Sequence, residues 1–258
     1  MVKWPFPSKK VGIPFYTLLV EVPSRHLPDD LAVQEKSDDF SAWRDRIESE
    51  LCDEETDENT PAFATFLRSG EGFLQLPVPE KDRLCLLAFT TPLRAADYVR
   101  VQVPKLKLHY AASSPRQVVN VVRDCRQQAG TTDLALDRCP RCSTFVTVDT
   151  STLDTATKVI KLWKISAATT IARTQLYRNY ARSAARNGDL IRARDVALEL
   201  VGHVTTQDAL THLLLGKLAI RLSDELLVKE AHSFLTLLRQ DALCEELRNA
   251  KKNSEWQF

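Results

Sequence analysis

Glycine is scarce in this chain, with seven residues in 258, well below the roughly 7% of an average protein. Loops that cradle phosphate depend on glycine for close backbone approach, and no such loop or nucleophile elbow is present. Proline is absent after Pro140, which leaves the last part of the chain free of the residue that most disrupts helices. No run reaches the ~18 apolar residues of a membrane-spanning helix, so a membrane protein of helical type is excluded. The formal net charge of +1 gives no global pull toward nucleic acid or membrane. Of six cysteines, only Cys139 and Cys142 are close in sequence, so the chain is not a small disulfide scaffold. Reduced cytoplasm with free thiols is the expected setting. Lys3, Lys9 and Lys10 before Val11–Val20 outline a secretory leader only faintly. Pro14 interrupts that apolar run, and no small-x-small cleavage site follows.

What is present divides around residues 133–148. Before that stretch the chain reads as mixed α/β; after it, everything reads as helix. Residues 1–150 carry 19 basic and 22 acidic side chains, residues 151–258 carry 16 and 12, so the helical half is the more basic. The expected fold class is α+β: a mixed-sheet front followed by an all-α helical-repeat back. The expected divisions are 1–59 (arm, strand and acidic loop), 60–150 (α+β domain) and 151–258 (helical domain).

Strands are expected at 15–22, 72–78, 83–89, 105–110 and 133–137, with a further short one at 144–148. The run Leu84–Phe89 is apolar on both faces, as a central strand is. Helices are expected at 41–51, at 61–67 with Pro61 in the first position, at 92–100 after Thr91-Pro92, and at 115–129. The last opens on Ser114-Pro115-Arg116-Gln117, a capping box, and Gly130 closes it. The acidic run 53–58 reads as a solvated loop, because it lacks the glycine and terminal glutamate of an EF-hand. Ser151 with Asp154 reads as another cap, opening helices near 152–168, 170–187, 190–202, 206–222, 225–239 and 241–251.

In the helical half, Ala184-Ala185-Arg186-Asn187-Gly188-Asp189-Leu190 aligns with Ala219-Ile220-Arg221-Leu222-Ser223-Asp224-Glu225 at an offset of 35 residues. Small residues, Ala181 and Gly216, fall where helices would cross. This resembles the tetratricopeptide repeat, two helices per ~34 residues, over about Thr174–Leu238. Val228 stands where that family has alanine, and its tryptophan is absent. An ordinary helical bundle with a chance repeat fits the same residues.

Phe73–Val78, Leu84–Phe89 and Thr90–Tyr98 together resemble the N-terminal domain of the SseB (enhanced serine sensitivity) family, with Ala88-Phe89-Thr90-Thr91 at its strand-to-helix step. The resemblance implies a small α+β module with no established catalytic site and carries over no functional residue.

Cys139-Pro140-Arg141-Cys142 admits zinc, redox and purely structural readings. Zinc needs four ligands, and Cys85, Cys125 or His109 would have to complete the set. A redox pair wants its first cysteine at a helix N-terminus, yet a strand is expected next. The third reading is a tight turn set by Pro140. The five histidines show no metal spacing. Arg178, Arg182 and Arg186 recur every four residues, with Lys158, Lys161 and Lys164 upstream and Trp163, Tyr177 and Tyr180 nearby. Such a stripe can grip phosphate or an acidic partner, but it is also what the solvated face of an amphipathic helix looks like. The leading expectation is a non-enzymatic interaction protein. Its helical repeats would present a concave surface to a protein or peptide through Tyr177, Arg178, Arg182 and Arg186, without nucleic acid, membrane or cofactor. The alternative is a metal- or redox-active protein using Cys139 and Cys142.

Overall fold

Side chains that alternate between two buried faces build the sheet of this α+β protein. The computed structural model describes residues 27–52, 56–70, 72–77, 84–104, 106–138, 147–205 and 207–252. The strand expected at 15–22, the acidic residues 53–55, the turn at 79–82 and the whole Cys139–Cys142 motif lie outside them. Two compact units are seen, divided between Leu176 and Tyr177.

The first unit holds seven strands: β1 (Ala64–Ser69), β2 (Gly72–Phe73), β3 (Gln75–Pro77), β4 (Leu84–Phe89), β5 (His109–Ser113), β6 (Thr131–Leu136) and β7 (Thr147–Asp149). β1 pairs antiparallel with β5 and β4, β4 pairs parallel with β6, and β6 pairs antiparallel with β7. The broken strand β2–β3 wedges between β1 and β4 at one end. There the Leu74 N–H donates to the Leu67 carbonyl at 2.7 Å, and the Leu74 carbonyl accepts from the Leu87 N–H at 3.3 Å.

The period of two is visible in the core. Ala64, Phe66, Leu86, Ala88 and Leu134 face one layer. That layer is the helix α4 (Pro115–Ala129) with Val118, Val122 and Cys125, and the first turns of α5 (Ala156–Arg186) with Val159 and Trp163. Leu67, Cys85, Leu87, Phe89 and Ala135 face the other layer, where α3 (Pro92–Gln102) supplies Ala95 and Tyr98. Ahead of the sheet lie α1 (Asp29–Glu35) and α2 (Asp38–Cys52). Phe40 and Ile47 of α2 pack on Ala168 and Ala172 of α5, and Glu35 pairs with Arg173.

Local signals place α3 and α4 as the sequence predicts. Thr91 accepts the Arg94 N–H at 3.3 Å, ahead of Pro92. Ser114 and Gln117 form the reciprocal capping box, and Gly130 at φ +66° ends α4.

Four expectations are corrected. Residues 64–69 are a strand rather than a helix. Residues 64–67 are all buried and serve both layers, and a period cannot be read from a run buried on both sides; Ala62 at φ +57° also breaks any helix from Pro61. The strand expected at 105–110 begins at His109. Residues 156–186 are one helix of 31 residues, not two. Within it the Thr169 and Thr174 hydroxyls donate back to Ile165 O at 3.0 Å and Thr170 O at 2.7 Å. Finally, Ser151 does not cap it. Asp149 caps a 3₁₀ turn, Thr150–Thr152, and Thr155 accepts the Lys158 N–H. The first half of α5 completes the sheet's core, and the division between the two compact units falls inside that helix.

The second unit contains the last turns of α5, then α6 (Leu190–Glu199), a π turn (Leu200–Val204), α7 (Ala209–Arg221), α8 (Glu225–Leu237) and α9 (Asp241–Lys252). α7 packs against α6, α8 and α9.

Candidate functional site

The 35-residue offset recurs bond for bond. Gly188 (φ +83°) and Ser223 (φ +59°) occupy left-handed backbone at the two turns. The Asp189 N–H donates to Ala184 O at 3.0 Å and the Asp224 N–H to Ala219 O at 2.8 Å; Gly188 N–H and Ser223 N–H reach Ala185 O and Ile220 O at 3.1 and 3.2 Å. Each turn is a Schellman closure. Each following helix is then capped alike, Asp189 accepting the Arg192 N–H at 3.1 Å and Asp224 the Leu227 N–H at 3.0 Å. Arg239 (φ +57°) repeats the closure between α8 and α9. The repeat is therefore a repeated turn and cap between successive helices.

Gly216 is the close-approach residue at the centre of α7. A Cβ there would lie 2.6 and 2.8 Å from the Leu247 methyl carbons and 3.3 Å from the Ala231 methyl. Leu247 is itself buried and has little room to turn away. Gly216→Ala gains about 1 kcal/mol of helix propensity but sets it against an overpacking cost of about 1–3 kcal/mol, so modest destabilisation is expected. Leu247→Ala alone is expected to lose about 2–5 kcal/mol. The double variant should lose clearly less than the sum, because the new methyl fills space the leucine vacates. Strict additivity in urea titrations would contradict the contact.

The proposed contact residues are distributed unequally. Tyr177 is buried and is unavailable to a partner. One Arg178 nitrogen, Nη1, donates to both Asp208 oxygens at 2.8 and 2.7 Å, with both side chains mostly buried. Asp208 in turn caps α7, accepting the Thr211 N–H at 3.1 Å. Arg178 therefore fastens α5 to α7. Arg182 is half-buried and Arg186 exposed. Upstream, Lys158 pairs with Asp154 at 2.9 Å, so two of the basic residues read from the sequence as a stripe, Lys158 and Arg178, are held in ion pairs.

Reading the sequence missed three features of this unit. Ile191 and Leu226, each the second residue of its helix and 35 positions apart, are 59% and 54% exposed. His212 is fully buried and stacked on Phe234, with ring centres 4.5 Å apart and planes at 13°. Glu230, on the same helix as Phe234, is buried, and its Oε2 accepts no hydrogen bond. Burial first, and the Asp224 charge second, push its carboxyl up to about 7. The exposed pair was visible only as a fragment of apolar periodicity, and the burial of Glu230 had no sequence signal.

In the first unit the missed residue is Asp137, at φ +52° just after β6. Its carboxylate accepts the Thr90 N–H at 2.8 Å and the Thr90 hydroxyl at 2.7 Å, and pairs with Arg94 at 2.6 Å. Thr90 and Asp137 follow the carboxyl ends of the parallel strands β4 and β6, where open sheets bind ligands. Here the chain's own donors fill the carboxylate, which clamps the two loops together.

The remaining thiols offer little to a metal. Burial, and then Asp133, push Cys85 up to about 11. Burial, followed by Asp124, also raises Cys125. Both are thus held as thiols at neutral pH, whereas a metal ligand is a thiolate. Among the described residues, no group of three His, Cys, Asp or Glu side chains is placed to hold a metal, and no helix is long and apolar enough to cross a membrane. Comparison with known protein families, curated proteins and solved structures finds no match to this chain.

Proposed function

We propose that this chain is a non-enzymatic adaptor whose helical unit binds a protein or peptide. The carrying observation is the turn and cap repeated at 35 residues, with one large branched side chain exposed at the same place after each, Ile191 and Leu226. Stacked helical hairpins share one core and leave an outer surface free for recognition, and exposed aliphatic anchors at equivalent positions suit that use. Of the residues first considered as contacts, Arg182 and Arg186 keep that role, while Tyr177 and Arg178 hold the unit together. The setting in this reading is the cytoplasm, where the free thiols of Cys85, Cys125 and Cys244 stay reduced.

A photo-crosslinking residue placed at position 191 of the full chain tests this, with position 110 on the exposed edge of β5 as control. Discrete protein adducts from 191, competed by unlabelled chain and absent from 110, are expected. Adducts from 110 alone, or none from 191, would remove the proposal.

A further inference from the structure

We infer that the pair α8–α9 is a proton-operated latch on α7. It stays closed while the Glu230 carboxyl is neutral and opens as a unit, ahead of the rest of the protein, when that carboxyl gives up its proton. The latch is independent of the adaptor role. Glu230 is 4% exposed, and its Oε2 accepts no hydrogen bond among the described residues. It lies on α8 one helical turn before Phe234, which stacks on His212 of α7. An ionised carboxylate in such a place must be paired or must reach water. Among the described residues no cation pairs with Glu230, and the charge that acts on it, Asp224, has the same sign. The outlet left is a local opening of the helix that carries it.

The elements packed on α8 supply no counter-ion. Lys217 of α7 pairs with Glu246 of α9 at 2.6 Å, and Lys251 of α9 pairs with Glu225 of α8 at 2.7 Å. The other titratable groups at these contacts are His212, inside the ring stack, and Cys244, among Leu213, Ala231, Leu235 and Leu247. On α8 itself Asp224 caps the helix, and Lys229 is exposed. Leu213 of α7 belongs to the same apolar cluster as Ala231 and Leu235 of α8 and Cys244 and Leu247 of α9, so both helices share one seam with α7 and part from it together. The left-handed turn at Ser223 (φ +59°) is the hinge. Burial and the Asp224 charge push the carboxyl up to about 7, against about 4.3 in an open chain. The closed latch holds a proton that the open one releases, so opening grows as pH rises through neutrality.

Amide hydrogen exchange of the full chain, read by mass spectrometry at pH 6, 7 and 8, tests this, with Glu230→Met and Glu230→Gln as references. Expressing the rates as protection factors removes the ordinary pH dependence of amide exchange. In the wild type, protection of peptides from residues 225–252 is expected to fall about tenfold between pH 6 and 8. Peptides from β4 and β6 should change by less than about twofold, since the opening is local. Both variants should be flat with pH, whatever their absolute protection, because neither new side chain titrates. Wild-type protection at 225–252 that stays constant with pH would overturn the inference. A pH-dependent loss that persists in either variant would also overturn it, by placing the titration on another group such as His212. So would an equal loss in the sheet, which would mean that the whole chain opens at once and α8–α9 is no latch.

Discussion

Replacing Glu230 by methionine is expected to stabilise the protein at pH 8 by about 3 kcal/mol and to change it little near pH 4.5. The carboxyl is buried, its Oε2 unbonded, and burial with the nearby Asp224 charge pushes it up to about 7. An unfolded glutamate ionises near 4.3. Between these values the folded chain holds a proton that the unfolded chain has lost. Stability must therefore fall as pH rises through that window, and the loss is complete above the folded value. Methionine is similar in length, needs no hydrogen bond and adapts to irregular space, so it removes the penalty without leaving an unsatisfied amide. Urea titrations of both proteins at pH 5, 6, 7 and 8 should give curves that diverge with pH. Other titrating groups are common to both and cancel in the difference. Parallel curves would show that Glu230 is solvated or paired in the folded chain.

Asp208→Ala is expected to lose about 4–6 kcal/mol, combining the 3–5 kcal/mol of an orphaned buried ion-pair partner with the loss of a helix cap, typically about 1 kcal/mol. The variant strands Arg178, whose side chain is only 15% exposed, and removes the carboxylate cap on the Thr211 N–H, which keeps only the Asp208 carbonyl at 3.1 Å. Asp208→Asn separates the two effects. Asparagine caps as well as aspartate does but carries no charge for Arg178, so its loss should be smaller by about the value of the cap. Chemical denaturation followed by helix signal measures both. Equal losses would mean that the cap adds nothing to the ion pair, and a loss below about 1 kcal/mol from alanine would place the pair in solvent.

These two sites also show how far the sequence could be read. Caps, turns and close approaches are local, so Thr91, Ser114, Gly130, Gly188 and Gly216 were visible one by one, and the 35-residue offset followed from them. The pairing of Arg178 with Asp208 is separated by 30 positions, and that of Thr90 with Asp137 by 47; neither partner advertises the other. In the sequence the arginine looked like part of a solvent-facing stripe because its spacing on α5 is regular. Its burial is decided by α7, which a single-helix reading cannot supply. The strand at residues 64–69 was misread for a related reason, since side chains packed on both faces of a sheet erase the alternation that would identify it. Glu230 is the extreme case: a charged residue in a helical run is expected on the surface, and only tertiary packing overrides that.

The parallel pairing of β4 with β6 has a consequence for how the protein is made. Two helices and an edge strand separate these neighbours along the chain, so a long loop must close before their hydrogen bonds can form. The helices of the second unit instead meet partners one or two elements away, which favours rapid assembly. On the ribosome, the central strand β4 waits with an unpaired edge until β6 has emerged. The nascent sheet is therefore the part of this polypeptide most in need of a chaperone, while the hairpins behind it assemble nearly as fast as they are synthesised.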